Sequence, residues 1–214
     1  MIKLSIYDFD KTIYKKDTGI IVLKYLFKKH PKTILQIPKI VLSFIFYFLK
    51  IIPTHRLKEI FFSPISVLTK EEWETFITDF WAIEKNNLFL NTCEQIEQDK
   101  KNGYIIGILS ASAEIMLYPI MDIISIDFLI GTIFSTIEST VTSTIIGKNC
   151  KNEEKVSRLY KYMEAHYPNQ KYTIDKMYSD SLHDLPLFNI AQQQFTVEAN
   201  GTIRPGLPNP NNHL

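Results

Sequence analysis

Residues 104–109, Tyr-Ile-Ile-Gly-Ile-Leu, are an unbroken apolar run of six. A run that short suits a strand buried on both faces of a parallel sheet, and a parallel sheet in turn requires helical crossovers. The rest of the chain supplies them. Residues 2–7, Ile-Lys-Leu-Ser-Ile-Tyr, alternate well enough to be a first strand. After residue 109 the pattern predicts a helix over 113–121, β-rich stretches near 128–134 and 141–147, and a helix over 153–162. A strand near 173–178, a short helix from 184 and a strand at 195–198 complete the pattern. Strands alternating with helices predict a three-layer α/β core with a parallel sheet.

Between the first strand and residue 103 the period is helical. Residues 19–29 make one stretch, and residues 34–52 a second, punctuated by Pro38 and stopped by Pro53. Thr69 and Glu72 have the spacing of a capping box ahead of Trp73, Phe76, Ile77, Phe80 and Trp81, a stripe of 3.6 period. Residues 91–101 predict one more helix. An all-helical insert over 16–100 thus interrupts a core made of 1–15 and 101–204, and the Pro-rich residues 205–214 read as a flexible tail. A chain of 214 residues has room for such a core and insert.

Charge is unevenly spread. Residues 18–58 carry eight cations, from Lys24 to Lys58, and no Asp or Glu, although the whole chain is only +1. A basic block on an acidic body points to an anionic partner: a membrane surface, a nucleic acid or a phosphorylated substrate. Cys93 and Cys150 lie far apart and have no metal-ligand spacing with the histidines, which argues against zinc and against a disulfide framework. A reducing cytoplasmic setting is expected, and the first fifteen residues lack the basic start and apolar block of a secretory signal.

Polar groups gather at the ends of the predicted strands, where open α/β sheets bind ligands. Asp8 and Asp10 follow the first strand, with Lys11 and Thr12 behind them. Ser110 ends the 104–109 run; it reads as the N-cap of the next helix, whose free N–H groups with the hydroxyl would suit a phosphate. Lys155 falls at the third position of a helix capped by Asn152, where the macrodipole disfavours a cation, so an anion should compensate it. Asp180 and Asp184 follow the strand ending at residue 178, and like charges four apart call for a cation; Mg2+ prefers such oxygens. Together these groups describe phosphoryl transfer. One Asp attacks phosphorus, a second serves as acid and then base, Mg2+ neutralises charge, and Ser and Lys hold the phosphoryl group.

In this order and placement the chain resembles the haloacid dehalogenase superfamily, in its phosphoserine phosphatase branch. Asp8-Phe9-Asp10-Lys11-Thr12 resembles the first motif, Ser110 the second, Lys155 the third, and Asp180 with Asp184 the fourth. The resemblance implies a flavodoxin-like, Rossmann-like core with a helical cap, Asp8 as nucleophile and Asp10 as acid/base. It implies Mg2+ held by Asp8, the Asp10 carbonyl and Asp180, with Asp184 supporting, and substrate contacts from Thr12, Ser110 and Lys155. Asp17 stands where this branch carries a substrate-binding acid. Lys11 and Ser179 stand where the family usually has Gly.

The insert should decide the substrate. Residues 40–49 are uncharged, rich in Phe and Tyr, and bounded by Lys39 and Lys50. Ten residues are too few to span a bilayer, so the run is either buried in the cap or immersed in a lipid interface. Basic residues around an aromatic helix attract anionic lipid, which predicts peripheral contact with an anionic membrane through residues 24–58. The stretch from Lys24 to Pro31 and this run resemble the phosphatidylglycerophosphatase C family, which implies a lipid phosphate such as phosphatidylglycerophosphate as substrate. A small soluble phosphate ester is the alternative. A non-catalytic polyanion binder, and with it nucleic acid as a partner, is disfavoured by the clustered acids Asp8, Asp10, Asp180 and Asp184.

Overall fold

The computed structural model describes residues 1–209. A six-stranded sheet has the order β3-β2-β1-β6-β7-β8, formed by β1 (Ile2–Tyr7), β2 (Ile105–Ala113), β3 (Phe128–Thr132), β6 (Tyr172–Ser179), β7 (Gln193–Val197) and β8 (Ile203–Pro205). All neighbours are parallel except β7 and β8. A separate antiparallel hairpin pairs β4 (Phe134–Ile137) with β5 (Thr140–Ile145).

The sheet is covered on both faces, which is why β1 is buried from Leu4 onward. Leu4 and Ile6 pack with Leu159 and Met163 of α7 (Glu153–His166) and with Leu187 and Phe188 of α8 (Leu185–Phe188). Ser5 and Tyr7 face the other way. Their hydroxyls donate to Asp99 of α5 (Leu90–Lys101) at 2.6 and 2.7 Å, and Lys176 of β6 pairs with the same carboxylate. This fully buried acid therefore fastens a helix to the two central strands. Rings of Tyr7, Tyr178 and Phe195 stack across β1, β6 and β7 at 4.4 and 4.7 Å.

Between β1 and β2 the chain is helical, as expected: α1 (Thr18–Lys29), a 3-10 turn at Pro31–Gln36, α2 (Ile37–Phe48), α3 (Thr54–Phe61), α4 (Lys70–Glu84) and α5. The capping box on α4 is present with both hydrogen bonds, and Trp73, Phe76, Ile77, Phe80 and Trp81 are buried. The Trp73 and Trp81 indoles donate to the carbonyls of Ile115 and Met116 and tie α4 to α6 (Glu114–Leu117).

The reading of residues 34–61 needs correction. Pro38 does not interrupt a helix over 34–52; it lies in the first turn of α2, where its missing N–H costs nothing, and α2 ends at Phe48 before Lys50 turns to φ +60°. The helix α3 follows Pro53 immediately, with Leu57, Ile60 and Phe61 on one face. Burial of residues 40–49 in a cap core is overturned as well. In α2 only Ile40 and Ser43 are buried, while Val41, Ile45 and Phe48 are 54%, 49% and 77% exposed. Leu42, Phe44, Phe46 and Leu49 are exposed with them. The helix turns its serine inward and its apolar side chains outward.

The tail begins later than its composition suggests. Pro205 pairs with Phe195, and the Gly206 N–H donates to the Gln194 carbonyl. Residues 210–214 of that stretch lie outside the described residues.

Candidate active site

The parallel register places the ends of β1 and β6 side by side, Tyr7 opposite Tyr178, so Asp8 and Asp180 leave the sheet as neighbours. This is also the point where strand order reverses, β2 following on one side of β1 and β6 on the other. Asp8 is buried, and its Oδ1 meets Lys155 Nζ at 2.7 Å. The same ammonium lies 2.6 Å from Asp184 Oδ1. Lys155 stands in the first turn of α7, and these carboxylates are the anions that its position requires. Asn152 precedes the helix at φ +52° and its side chain makes no capping bond.

Burial drives the Asp8 carboxyl above its ordinary value; Lys155 opposes this, while the charges of Asp184 and Asp180 add to it. Burial would lower Lys155, but the two carboxylates outweigh it and raise the ammonium. Ser179 explains its departure from Gly: its hydroxyl donates to Asp184 Oδ2 at 2.7 Å and accepts from the Ser181 N–H. Lys11 takes φ +59°, the left-handed conformation that glycine adopts without strain, and its N–H reaches the Tyr14 carbonyl.

Asp10 is held on both oxygens. The Thr18 N–H and hydroxyl donate to Oδ1, the former at 2.8 Å, and the Ser112 hydroxyl donates to Oδ2 at 2.6 Å. Burial and then the charge of Asp17 push its carboxyl up to about 6, against the pull of these donors. Ser112 was not among the residues singled out by the sequence; its position two after Ser110 was the available signal.

Ser110 is not the N-cap of a helix. Strand β2 continues through it to Ala113 and α6 starts at Glu114, so the hydroxyl instead accepts from the Ser112 N–H at 3.0 Å. Thr12 is fully buried, and its hydroxyl accepts from the Asp180 N–H at 3.0 Å. That makes it a brace for the Asp180 loop. Asp17 caps α1 by accepting from the Ile20 N–H at 2.9 Å, and also lines a cavity of about 330 Å3. Asp10, Ser112 and Lys58 line that cavity too, with Phe44 of α2 and Phe61 of α3. A second cavity, about 690 Å3, opens beside Asp180, Lys11 and Lys15.

Glu84, absent from the sequence-based set, is 3% exposed and collects the Tyr14 and Tyr25 hydroxyls, the Lys16 ammonium and the Asn87 amide. It falls eleven residues after Trp73 on the buried stripe of α4, and that register was the signal. Burial would raise its pKa, but these donors hold it below the ordinary value. It joins the loop after β1 to α1 and α4.

Among the described residues no three Asp, Glu, His or Cys side chains form a ready cation cage. The donors at hand are the Asp8 and Asp180 carboxylates with backbone carbonyls; Asp8 feels the charges of both Asp180 and Asp184, against the single cation Lys155. Hard oxygens with excess negative charge fit a divalent ion such as Mg2+ that keeps part of its water shell.

A comparison with curated proteins finds no match. Among solved structures, a protein of unknown function from Bordetella pertussis Tohama I superposes with a TM-score of 0.75 at 16% identity, over 91% of this chain and 89% of that one. A substrate-bound phosphoserine phosphatase gives 0.60 at 16% identity, over 92% and 86%. A phospho-aspartyl intermediate analogue of phosphoserine phosphatase gives 0.58 at 17%, over 90% and 85%. The shared fold agrees with the branch expected from the motifs. The family model for haloacid dehalogenase-like hydrolases matches residues 6–189, a span that takes in all four motif segments, and the chain belongs to that family.

Proposed function

We propose that the protein is a Mg2+-dependent phosphomonoester hydrolase that works through an aspartyl-phosphate on Asp8, with 1–15 and 101–204 as catalytic core and 16–100 as cap. The observation that carries this is the pairing of two differently held aspartates: Asp8 clamped by Lys155, and Asp10 braced by Thr18 and Ser112.

Asp8 attacks phosphorus with a carboxylate oxygen while Lys155 fixes its rotation. Asp10, whose pKa of about 6 suits both roles, protonates the departing ester oxygen. It then takes a proton from water, and the resulting hydroxide attacks phosphorus and frees Asp8 and inorganic phosphate. A bound Mg2+, held by Asp8, Asp180 and the Asp10 carbonyl, would neutralise charge between the nucleophile and the phosphoryl group. Lys155 and Ser110 flank the place that group would take. Asp184 keeps Lys155 in position.

For the substrate, a lipid phosphate at an anionic membrane is favoured over a small metabolite, because α2 turns its apolar side chains outward while its Phe44 also walls the cavity that holds Asp10. Lys24, Lys28, Lys32, Lys39 and Lys50 of the same basic block are exposed. Lys29 and Arg56 are engaged by Asp79 and Glu59, and Lys58 turns inward, so the basic block is smaller than the sequence count. Among the described residues no helix is long and apolar enough to cross a membrane. The twelve residues of α2 span about 18 Å, which suits lying along an interface at the cytoplasmic face. Asp17 in the same cavity favours the second reading, a soluble ester bearing an ammonium group.

The test is phosphate release with Mg2+ or EDTA from micellar phosphatidylglycerophosphate and from a panel of soluble phosphomonoesters, with Asp8→Asn as control. Sedimentation with anionic and with neutral vesicles accompanies it. Preference for the lipid and binding to anionic vesicles support the full reading; preference for a soluble ester without vesicle binding selects the second. No Asp8-dependent release from any ester would refute both.

A further inference from the structure

Lys58 is carried on α3, in the helical insert, yet its ammonium ends among core residues. Nζ donates to the Ala111 carbonyl at 2.6 Å, to Asn149 Oδ1 at 2.5 Å and to Thr132 Oγ1 at 3.3 Å. Three donors meet three acceptors, and every acceptor is neutral. A partly buried cation without a carboxylate partner is costly, and burial lowers its pKa to about 8. An arrangement of that cost calls for a role.

The acceptors indicate one. Ala111 is the residue between Ser110 and Ser112, and its carbonyl belongs to the peptide that carries the Ser112 N–H. That N–H donates to Ser110 Oγ, while the Ser112 hydroxyl donates to Asp10 Oδ2. Thr132 closes the ring by donating toward the Ala111 carbonyl at 2.7 Å and toward Asn149 Oδ1 at 2.8 Å. The Cys150 N–H donates to Thr132 Oγ1, which ties in the segment leading to α7 and Lys155. One side chain from the insert thus grips two core segments, the end of β2 with Ser110 and Ser112 and the stretch that leads to Lys155.

We propose that Lys58 is a positioning residue: it sets the Ala111 peptide, and through Ser112 the orientation of Asp10, so that the acid/base is aligned only while α3 is seated on the core. The proposal rests on Asp10 as acid/base. Without Lys58 the Ala111 peptide, in the irregular end of β2, could rotate and leave Asp10 held by Thr18 alone. A misplacement of about 1 Å at such a group is enough to lose on the order of 100-fold in rate.

The experiment uses the full chain with Mg2+ and p-nitrophenyl phosphate, comparing wild type with Lys58→Met, Lys58→Arg and Thr132→Val. Lys58→Met is expected to lower kcat by about 10- to 100-fold with KM changed less than about threefold, because the lost interaction aligns the acid/base and does not hold the substrate. Lys58→Arg should recover most of kcat, and Thr132→Val should reproduce a smaller kcat defect in a fold that keeps the lysine. Amide exchange over residues 110–113 reads the same segment without turnover and should quicken about 10-fold in Lys58→Met and not in Lys58→Arg. A raised KM at unchanged kcat would instead make Lys58 a substrate ligand and overturn the proposal. Wild-type kinetics together with wild-type exchange in Lys58→Met would overturn it as well. If wild type itself releases no phosphate in an Asp8-dependent way, the phosphatase reading fails, while exchange still decides whether Lys58 positions that segment.

Discussion

Lys155 Nζ stands 2.7 Å from Asp8 Oδ1, and the two residues are 147 positions apart in the chain. Because the ammonium also serves Asp184, Lys155→Met would leave two buried carboxylates without their cation. Loss of one partner from a buried pair costs about 3–5 kcal/mol. Urea unfolding of the metal-free variant should show a loss of that size, and Mg2+ should restore part of it. A variant as stable as wild type in EDTA would contradict this account of the charge balance.

Asp10 predicts a pH dependence of stability. Its folded pKa, about 6, lies above the ordinary aspartate value of about 3.9, so the folded protein holds the proton over the interval between them. Stability from this group therefore falls as pH rises from about 4 to about 6 and is level above that. Asp10→Asn should raise the Tm of the metal-free protein at pH 7.5, with the gain shrinking toward pH 4. Melting curves across that range check it, and a gain independent of pH would contradict it.

Glu84 gives the opposite slope. Its pKa is held below the ordinary value, so the stability it supplies is present at neutral pH and is lost as pH falls through the folded pKa. Glu84→Ala leaves Tyr14, Tyr25, Lys16 and Asn87 without their acceptor and should cost at least about 3 kcal/mol at pH 7. Glu84→Gln should cost less, with a difference from wild type that narrows in acid. Denaturant titrations at neutral and acid pH measure both.

Lys11→Gly should stabilise the fold by about 1 kcal/mol, the penalty of a side chain in the left-handed region. The side chain is exposed, so what mainly opposes the gain is the greater freedom of glycine in the unfolded chain. Thermal unfolding measures it, and a lower Tm would mean that Lys11 has a role in the cavity beside Asp180.

What the sequence made legible follows from range. Asp8, Asp10, Asp180 and Asp184 stand one to five residues beyond strands whose apolar runs are themselves local signals, so parallel pairing brings them together. Lys155 was legible through its misfit with the helix dipole. Ser112 and Glu84 carried only the local signals of spacing and helix register, and Lys58 none beyond its place in the basic block, because Asp10, Tyr14 and Ala111 lie 102, 70 and 53 positions away from them and a single polar residue carries no mark of a distant partner. Ser110 was misread because a strand that runs on through a serine and a helix that starts at one look alike over three residues. In α2 the apolar pattern was clear, but composition does not tell which side of a helix the protein covers.

The placement of β1 has a consequence for how the chain is made. Its two neighbours begin at Ile105 and Tyr172, so the central strand emerges from the ribosome long before either edge can be paired. Until then an apolar strand with open hydrogen-bonding edges is exposed to wrong partners, and contacts of such sequence separation slow folding. The helices between β1 and β2 can form in that interval, but Asp8 and Asp180 become neighbours only when residues near 178 have been synthesised. Nascent chains cut short before β6 should therefore be substrates for chaperones, whatever the state of their helices.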